Sequence, residues 1–157
     1  MKKFAYFDTY WGEGWPDTAW LQRYFLSKAG QEWTFETRND GGNFSIEGVD
    51  GTSALEEGKG RIDINLVIDG KRGCGAMLYY RKSGTGLDEG YFSRGDLSQM
   101  RRWVRNMHGT PLSLGFFIPF ASAWTAVREF MDTDGGLPKS ISWINQHDIP
   151  ADVFPDP

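Results

Sequence analysis

A chain of 157 residues with 39% hydrophobic and 24% charged positions has the composition of one folded domain, spanning 1–157, and excludes intrinsic disorder. Its formal net charge of −4 argues against direct binding of nucleic acid, because phosphate recognition is driven largely by Lys and Arg, and favours a basic partner instead. No run of ~18 apolar residues occurs, so no segment is read as crossing a membrane.

The N-terminus, MKKFAYFDTYWGEGW, begins with Met and two lysines, but Asp8 and the polar aromatics deny it the apolar core of a signal peptide. Cys74 is the single cysteine and cannot form an internal disulfide, which fits a reducing compartment. A cytoplasmic location is expected.

In chain order, residues 4–10 read as a first strand. Asp17 or Thr18 caps a helix running to about Lys28, with Trp20, Leu21, Tyr24 and Phe25 on one face and Gly30 ending it. The alternating segments 32–38 and 43–47 form a hairpin across Asn39-Asp40-Gly41-Gly42, whose residues tolerate positive φ. Residues 49–60, glycine-rich and aperiodic, read as a loop that carries Asp50, Glu56 and Glu57. Then come the clearest strands. Ile62, Ile64, Leu66 and Ile68 share one face. Asp69-Gly70-Lys71-Arg72 turns the chain, and Cys74, Ala76, Leu78 and Tyr80 alternate with Met77 and Tyr79 on the return.

Residues 83–90 read as a polar connection holding Asp88 and Glu89, followed by a short strand over 91–93. For 96–107 the spacing of Leu97, Met100, Trp103, Val104 and Met107 favours a helix capped by Asp96 and Gln99. The competing reading pairs 102–107 with 112–118 across His108-Gly109-Thr110-Pro111. Leu112 to Ile118 reads as a buried strand, and Pro119 as the first residue of a helix to about Asp132. In that helix Phe120, Ala123, Trp124, Val127, Phe130 and Met131 form one apolar stripe. Gly135 and Gly136 close it, Pro138 prevents its resumption, and Ile141, Trp143 and Ile144 form a last strand. The tail from about 149 reads as irregular. The architecture expected is α+β, a mostly antiparallel sheet of about five to seven strands with two or three helices on it, the main ones near 17–28 and 119–132.

Catalytic chemistry finds little support. His108 and His147 lack neighbours at metal-ligand spacing, Cys74 alternates with core positions, and the pairs Glu56-Glu57, Asp88-Glu89 and Asp132/Asp134 lie in solvated segments rather than a desolvated site. Gly73-Cys74-Gly75 and Gly84-Thr85-Gly86 lack the helix and third glycine of a phosphate cradle. No catalytic residue, cofactor or metal is expected. Two features point to a partner. Tyr10-Trp11-Gly12-Glu13-Gly14-Trp15 suggests indoles held at the surface, where Trp anchors interfaces or stacks on sugars; core filling beneath a loop is the competing reading. Asp132 and Asp134 put negative charge at a helix C-terminus that already carries it, against the alternative of an exposed, screened end.

The order Ile118-Pro119, Ala123, Val127, Glu129-Phe130, Gly136, Pro138, Ile141, Trp143 resembles the C-terminal signature of the first immunity-protein family of bacterial polymorphic toxin systems. The resemblance implies an α+β domain, no catalysis, and tight binding to a cognate toxin encoded nearby, often a nucleic-acid deaminase. A deaminase cleft must attract phosphate and is therefore basic, so an acidic inhibitor is steered to it. On that reading Asp50, Glu56, Glu57, Asp88 and Glu89, with Trp11, Glu13 and Trp15, are the candidate toxin-facing residues. The rival class is a carbohydrate-binding or other ligand-binding module using exposed Trp and Tyr.

Overall fold

The computed structural model describes residues 1–28, 33 and 41–155. Ten strands and two α-helices occur among them: β1 (Lys2–Phe7), β2 (Tyr10–Glu13), α1 (Thr18–Leu26), β3 (Gly41–Glu47), β4 (Asp63–Lys71), β5 (Gly75–Gly84), β6 (Leu87–Ser93), β7 (Trp103–Arg105), β8 (Pro111–Ser113), β9 (Phe117–Ile118), α2 (Phe120–Asp132) and β10 (Trp143–Asn145). The main sheet has eight strands in the order β10-β6-β5-β4-β3-β1-β2, with β9 pairing β5. Every pairing is antiparallel. The fold is the α+β class expected, with one strand more in its main sheet than foreseen.

Period-two alternation dictates the central strands. Ile64, Leu66 and Ile68 of β4, Phe44 and Ile46 of β3, and Ala76, Leu78 and Tyr80 of β5 all point to one side and are buried. Both helices cover that side. Asp17 caps α1 by accepting the Trp20 N–H at 2.9 Å, and Leu21, Tyr24 and Phe25 turn inward. From α2, Ala123, Trp124, Ala126, Val127, Phe130 and Met131 are buried. Trp33 lies in the same core, edge-on to Phe7 and stacked on Phe120. The expected strand at 32–38, Asn39-Asp40 and the Gly30 helix stop lie outside the described residues, Trp33 apart, but the hairpin expected across Asn39-Asp40-Gly41-Gly42 is corrected: Gly41 and Gly42 belong to β3, whose two edges are taken by β1 and β4.

A smaller core sits on the other side of the sheet. Met77, Met100, Phe116, Phe117 and Val153 are buried there, with Cys74, Phe92 and Ile144 packed against them. Here the structure departs from the sequence reading. Residues 96–107 do not form an α-helix. A 3-10 turn over Leu97–Gln99 leads into β7, which pairs β8 as Trp103↔Ser113, Val104↔Leu112 and Arg105↔Pro111. The competing hairpin reading is correct in kind, because the Asn106 side chain accepts the N–H groups of His108 and Thr110 and Gly109 takes φ +80°, closing the turn.

Leu112 to Ile118 is likewise not one strand. Ser113 caps a 3-10 turn over Leu114–Phe116 that divides β8 from β9. Pro119 occupies the cap position and α2 begins at Phe120. The tail is not irregular either, since Ala151–Val153 form a 3-10 turn that inserts Val153 into the smaller core. Residues 83–90 are not a connection but the end of β5, a tight turn at Thr85-Gly86, and the start of β6. The β4–β5 turn falls at 72–74, after the Asp69-Gly70-Lys71-Arg72 expected.

Candidate functional site

Strand register carries polar side chains from five strands to one end of the sheet. Lys2, Glu47, Asp63, Ser83 and Asp88 are cross-strand partners in sequence across β1, β3, β4, β5 and β6. The loop between β3 and β4 folds over the same end. Gly48, at φ +73°, donates its N–H to Asp63 at 3.0 Å, and Thr52 accepts the N–H of Ile62 at 2.9 Å. Gly60 donates to the Thr85 hydroxyl at 3.0 Å, tying the loop to the β5–β6 turn.

Arg61 is the knot of this region. Its guanidinium grips Asp63 in fork geometry at 2.8–3.1 Å and reaches Glu47 at 3.6 Å and Glu57 at 3.8 Å. The hydrogen bonds to Asp63 raise its pKa further above the range where arginine could lose its proton. Asp88 pairs with Arg81 at 3.0 Å, and that hydrogen bond holds its carboxyl below the usual range. Lys82 pairs with Asp50 at 2.6 Å and sits opposite Glu89 across β5 and β6. Glu56 pairs with Lys59.

The candidate residues therefore divide. Asp50, Glu56, Glu57, Asp88 and Glu89 come together at this end, and Glu13, bonded to Lys2 at 3.0 Å, joins them from β2. Asp88 and Glu89 lie on a strand rather than the loop expected. The two tryptophans part company. Trp11 projects from the outer side of β2 and is 74% exposed. Trp15 is half-buried on the helix side, packed against Phe44 and Phe130 at 5.4 and 5.9 Å between centroids. A two-indole sugar platform is thus not what this segment forms.

Between acids and bases the end is unbalanced. Residues 47–63 and 81–89 hold seven carboxylates (Glu47, Asp50, Glu56, Glu57, Asp63, Asp88, Glu89) against four cations (Lys59, Arg61, Arg81, Lys82), a local excess of three negative charges. An open groove of about 380 Å³ runs between Glu57, Arg61, Asp63, Arg81 and Asp88, and a second of about 460 Å³ lies on the helix side between Asp50, Tyr80, Lys82 and Asp134. Glu47, Asp63, Arg61 and Lys82 were not singled out in the sequence. The register of the alternating strands was the signal that could have found them. Among the described residues no helix is long and apolar enough to cross a membrane.

The C-terminal signature residues do a different job. Glu129 accepts the N–H groups of Lys139 and Ser140 at 2.8 and 3.0 Å, and Phe130 is buried beneath the sheet. Tyr80 on β5 donates to the Gly135 carbonyl at 2.9 Å. Trp143 donates its indole N–H to Pro138 at 2.7 Å, which fixes β10 on β6. Asp134, at φ +52°, forms an ion pair with Lys3, so the acid at this helix end is internally compensated. Together these bonds bind the end of α2, the turn after it and the last strand into one unit.

Residues 23–145 fit the family model of immunity protein Imm1, and the chain belongs to that family of immunity proteins. No curated protein and no solved structure matches it at a significant level.

Proposed function

We propose that this immunity protein acts as a single domain that neutralises a cognate toxin by stoichiometric binding, without catalysis, in the cytoplasm. The toxin is a nucleic-acid deaminase of a bacterial polymorphic toxin system, with a basic active-site cleft. The observation that carries this reading is the excess of acid at one end of the sheet, seven carboxylates against four cations in residues 47–63 and 81–89, to which Glu13 and Lys2 add one of each. A deaminase must draw in a phosphate backbone before a base can enter its pocket. A compact acidic end is steered to the same field and competes for the same surface. Binding of this kind calls for no metal or cofactor on the inhibitor.

The test is co-expression with the toxic domain encoded beside this protein. Cells should survive only when both are made, and the two should co-purify. Survival with the toxin alone removes the reading. Within it, reversing charge at Glu56 and Glu57 should slow association at low salt, and unchanged affinity at low and high salt alike would exclude those two residues.

A further inference from the structure

The outer side of the sheet is covered unevenly. Over β5 and β6 it is sealed by the smaller core, whereas on β1 and β2 apolar side chains stand outward beside exposed polar ones. Phe4 and Tyr6 alternate outward on β1, and Trp11 is the cross-strand partner of Tyr6. Tyr6 is 40% and Trp11 74% exposed, and the Trp11 ring meets Phe4 edge-on at 5.5 Å. The next strand presents Asn43 and Ser45 in the same rows, small side chains that leave the aromatics standing as a ridge.

An outward strand position in a half-covered sheet is expected to be polar. Tyr6 and Trp11, flanking the half-buried Phe4, leave apolar surface exposed that an apolar contact would bury, and Trp and Tyr are the side chains that dominate interface energies when buried at the centre of a contact. The ridge is bordered by Glu13 in the row of Phe4 and by the Lys2–Glu47 pair in the next, with Lys2 bonded to Glu13 at 3.0 Å, so it adjoins the charged end of the sheet.

Resting on the proposed function, we propose that Phe4, Tyr6 and Trp11 form the apolar anchor of the toxin interface. The partner surface it fits is an apolar socket of the toxin bordered by Lys and Arg. The division of labour is kinetic. Acidic side chains at the rim set the rate of encounter, and the buried ridge sets the rate of release.

The experiment measures association and dissociation of the purified protein with the adjacent toxic domain, at low and high salt, for wild type, Trp11→Ala, Tyr6→Ala and Leu26→Ala. Leu26 is a comparably exposed apolar residue on α1 and serves as control. Trp11→Ala should weaken binding at least about 30-fold, through faster release, with its salt dependence and thermal unfolding unchanged. Leu26→Ala should match wild type. Wild-type affinity in Trp11→Ala, or equal losses in Trp11→Ala and Leu26→Ala, overturns the anchor and leaves the proposed function standing. Failure of the wild-type protein to bind the toxin overturns that function itself. If Trp11→Ala instead abolishes self-association while toxin binding persists, the ridge serves a second copy of the chain and the anchor falls.

Discussion

The Tyr80 hydroxyl on β5 donates a 2.9 Å hydrogen bond to the carbonyl of Gly135, the glycine at φ +89° just beyond α2. A central strand is thereby joined to the turn that carries the family signature. Burial, and then the negative charges of Glu89 and Asp50, push the tyrosine's pKa up to about 12. Because the folded value lies above the unfolded one, the folded state holds this proton more tightly. The contribution is whole below pH ~10 and is lost as pH rises through about 12. Tyr80→Phe should cost roughly 1–3 kcal/mol, the penalty of a buried carbonyl left unpaired, and should remove that alkaline limb from a denaturation series.

Glu129 predicts the opposite limb. The backbone N–H of Lys139, with Ser140 beside it, holds the Glu129 carboxyl below the usual glutamate range. A depressed folded pKa gives stability that is fully present above the unfolded value of about 4.3 and disappears as pH falls through the folded value. Urea midpoints of wild type and Glu129→Ala should therefore differ at neutral pH and converge under acid. A constant difference across that range would show that the carboxylate charge is not what matters.

Gly75 tests the seating of α2. It takes φ +104°, and a Cβ there would lie 2.1 Å from the carbonyl oxygen of Ile118, the residue whose strand delivers Pro119 to the helix start. Gly75→Ala combines backbone strain of about 1–3 kcal/mol with a clash against main chain. A large fall in melting temperature is expected, with loss of amide protection in β9. Gly86, where an added Cβ meets nothing but φ is +78°, should suffer the strain alone and lose less.

Trp15 should separate from Trp11 in every assay. It touches Phe44 and Phe130 in the core, and its indole nitrogen is buried with no hydrogen-bond partner among the described residues. Trp15→Ala should destabilise by about 3–5 kcal/mol through lost packing. Trp15→Phe, which keeps an apolar ring and deletes the unpaired N–H, should retain wild-type toxin affinity.

The split between these tryptophans shows where local sequence stops being informative. An unbroken strand would place Trp11, Glu13 and Trp15 on one side. Gly14 instead adopts φ +84°, the strand ends, and Trp15 crosses to the helix side. The isoleucine alternation of β4 needed no such knowledge, since period and burial agree along its whole length. In 96–107 the apolar spacing suited helix and hairpin alike, as Leu97, Met100 and Val104 face the smaller core in the structure found. The choice was made by distant bonds, such as Leu114 N–H to the Arg102 carbonyl at 2.8 Å. Residues 83–90 looked like a loop because the hairpin tip carries no apolar alternation: its cross-strand pairs include Lys82↔Glu89 and Ser83↔Asp88, with Arg81 reaching Asp88 diagonally.

The signature residues and the Phe4–Tyr6–Trp11 ridge lie on opposite sides of one sheet. Phe130 is buried in the main core, Trp143 packs against it, and Glu129 and Trp143 bond the turn after α2 from the surface, so these residues serve the fold. The ridge, with Trp11 74% and Tyr6 40% exposed, stands apart from that interior, so under the proposed function its side chains can change without disturbing the scaffold. If the ridge is the toxin anchor, partner choice and folding are carried by separate sides of one sheet.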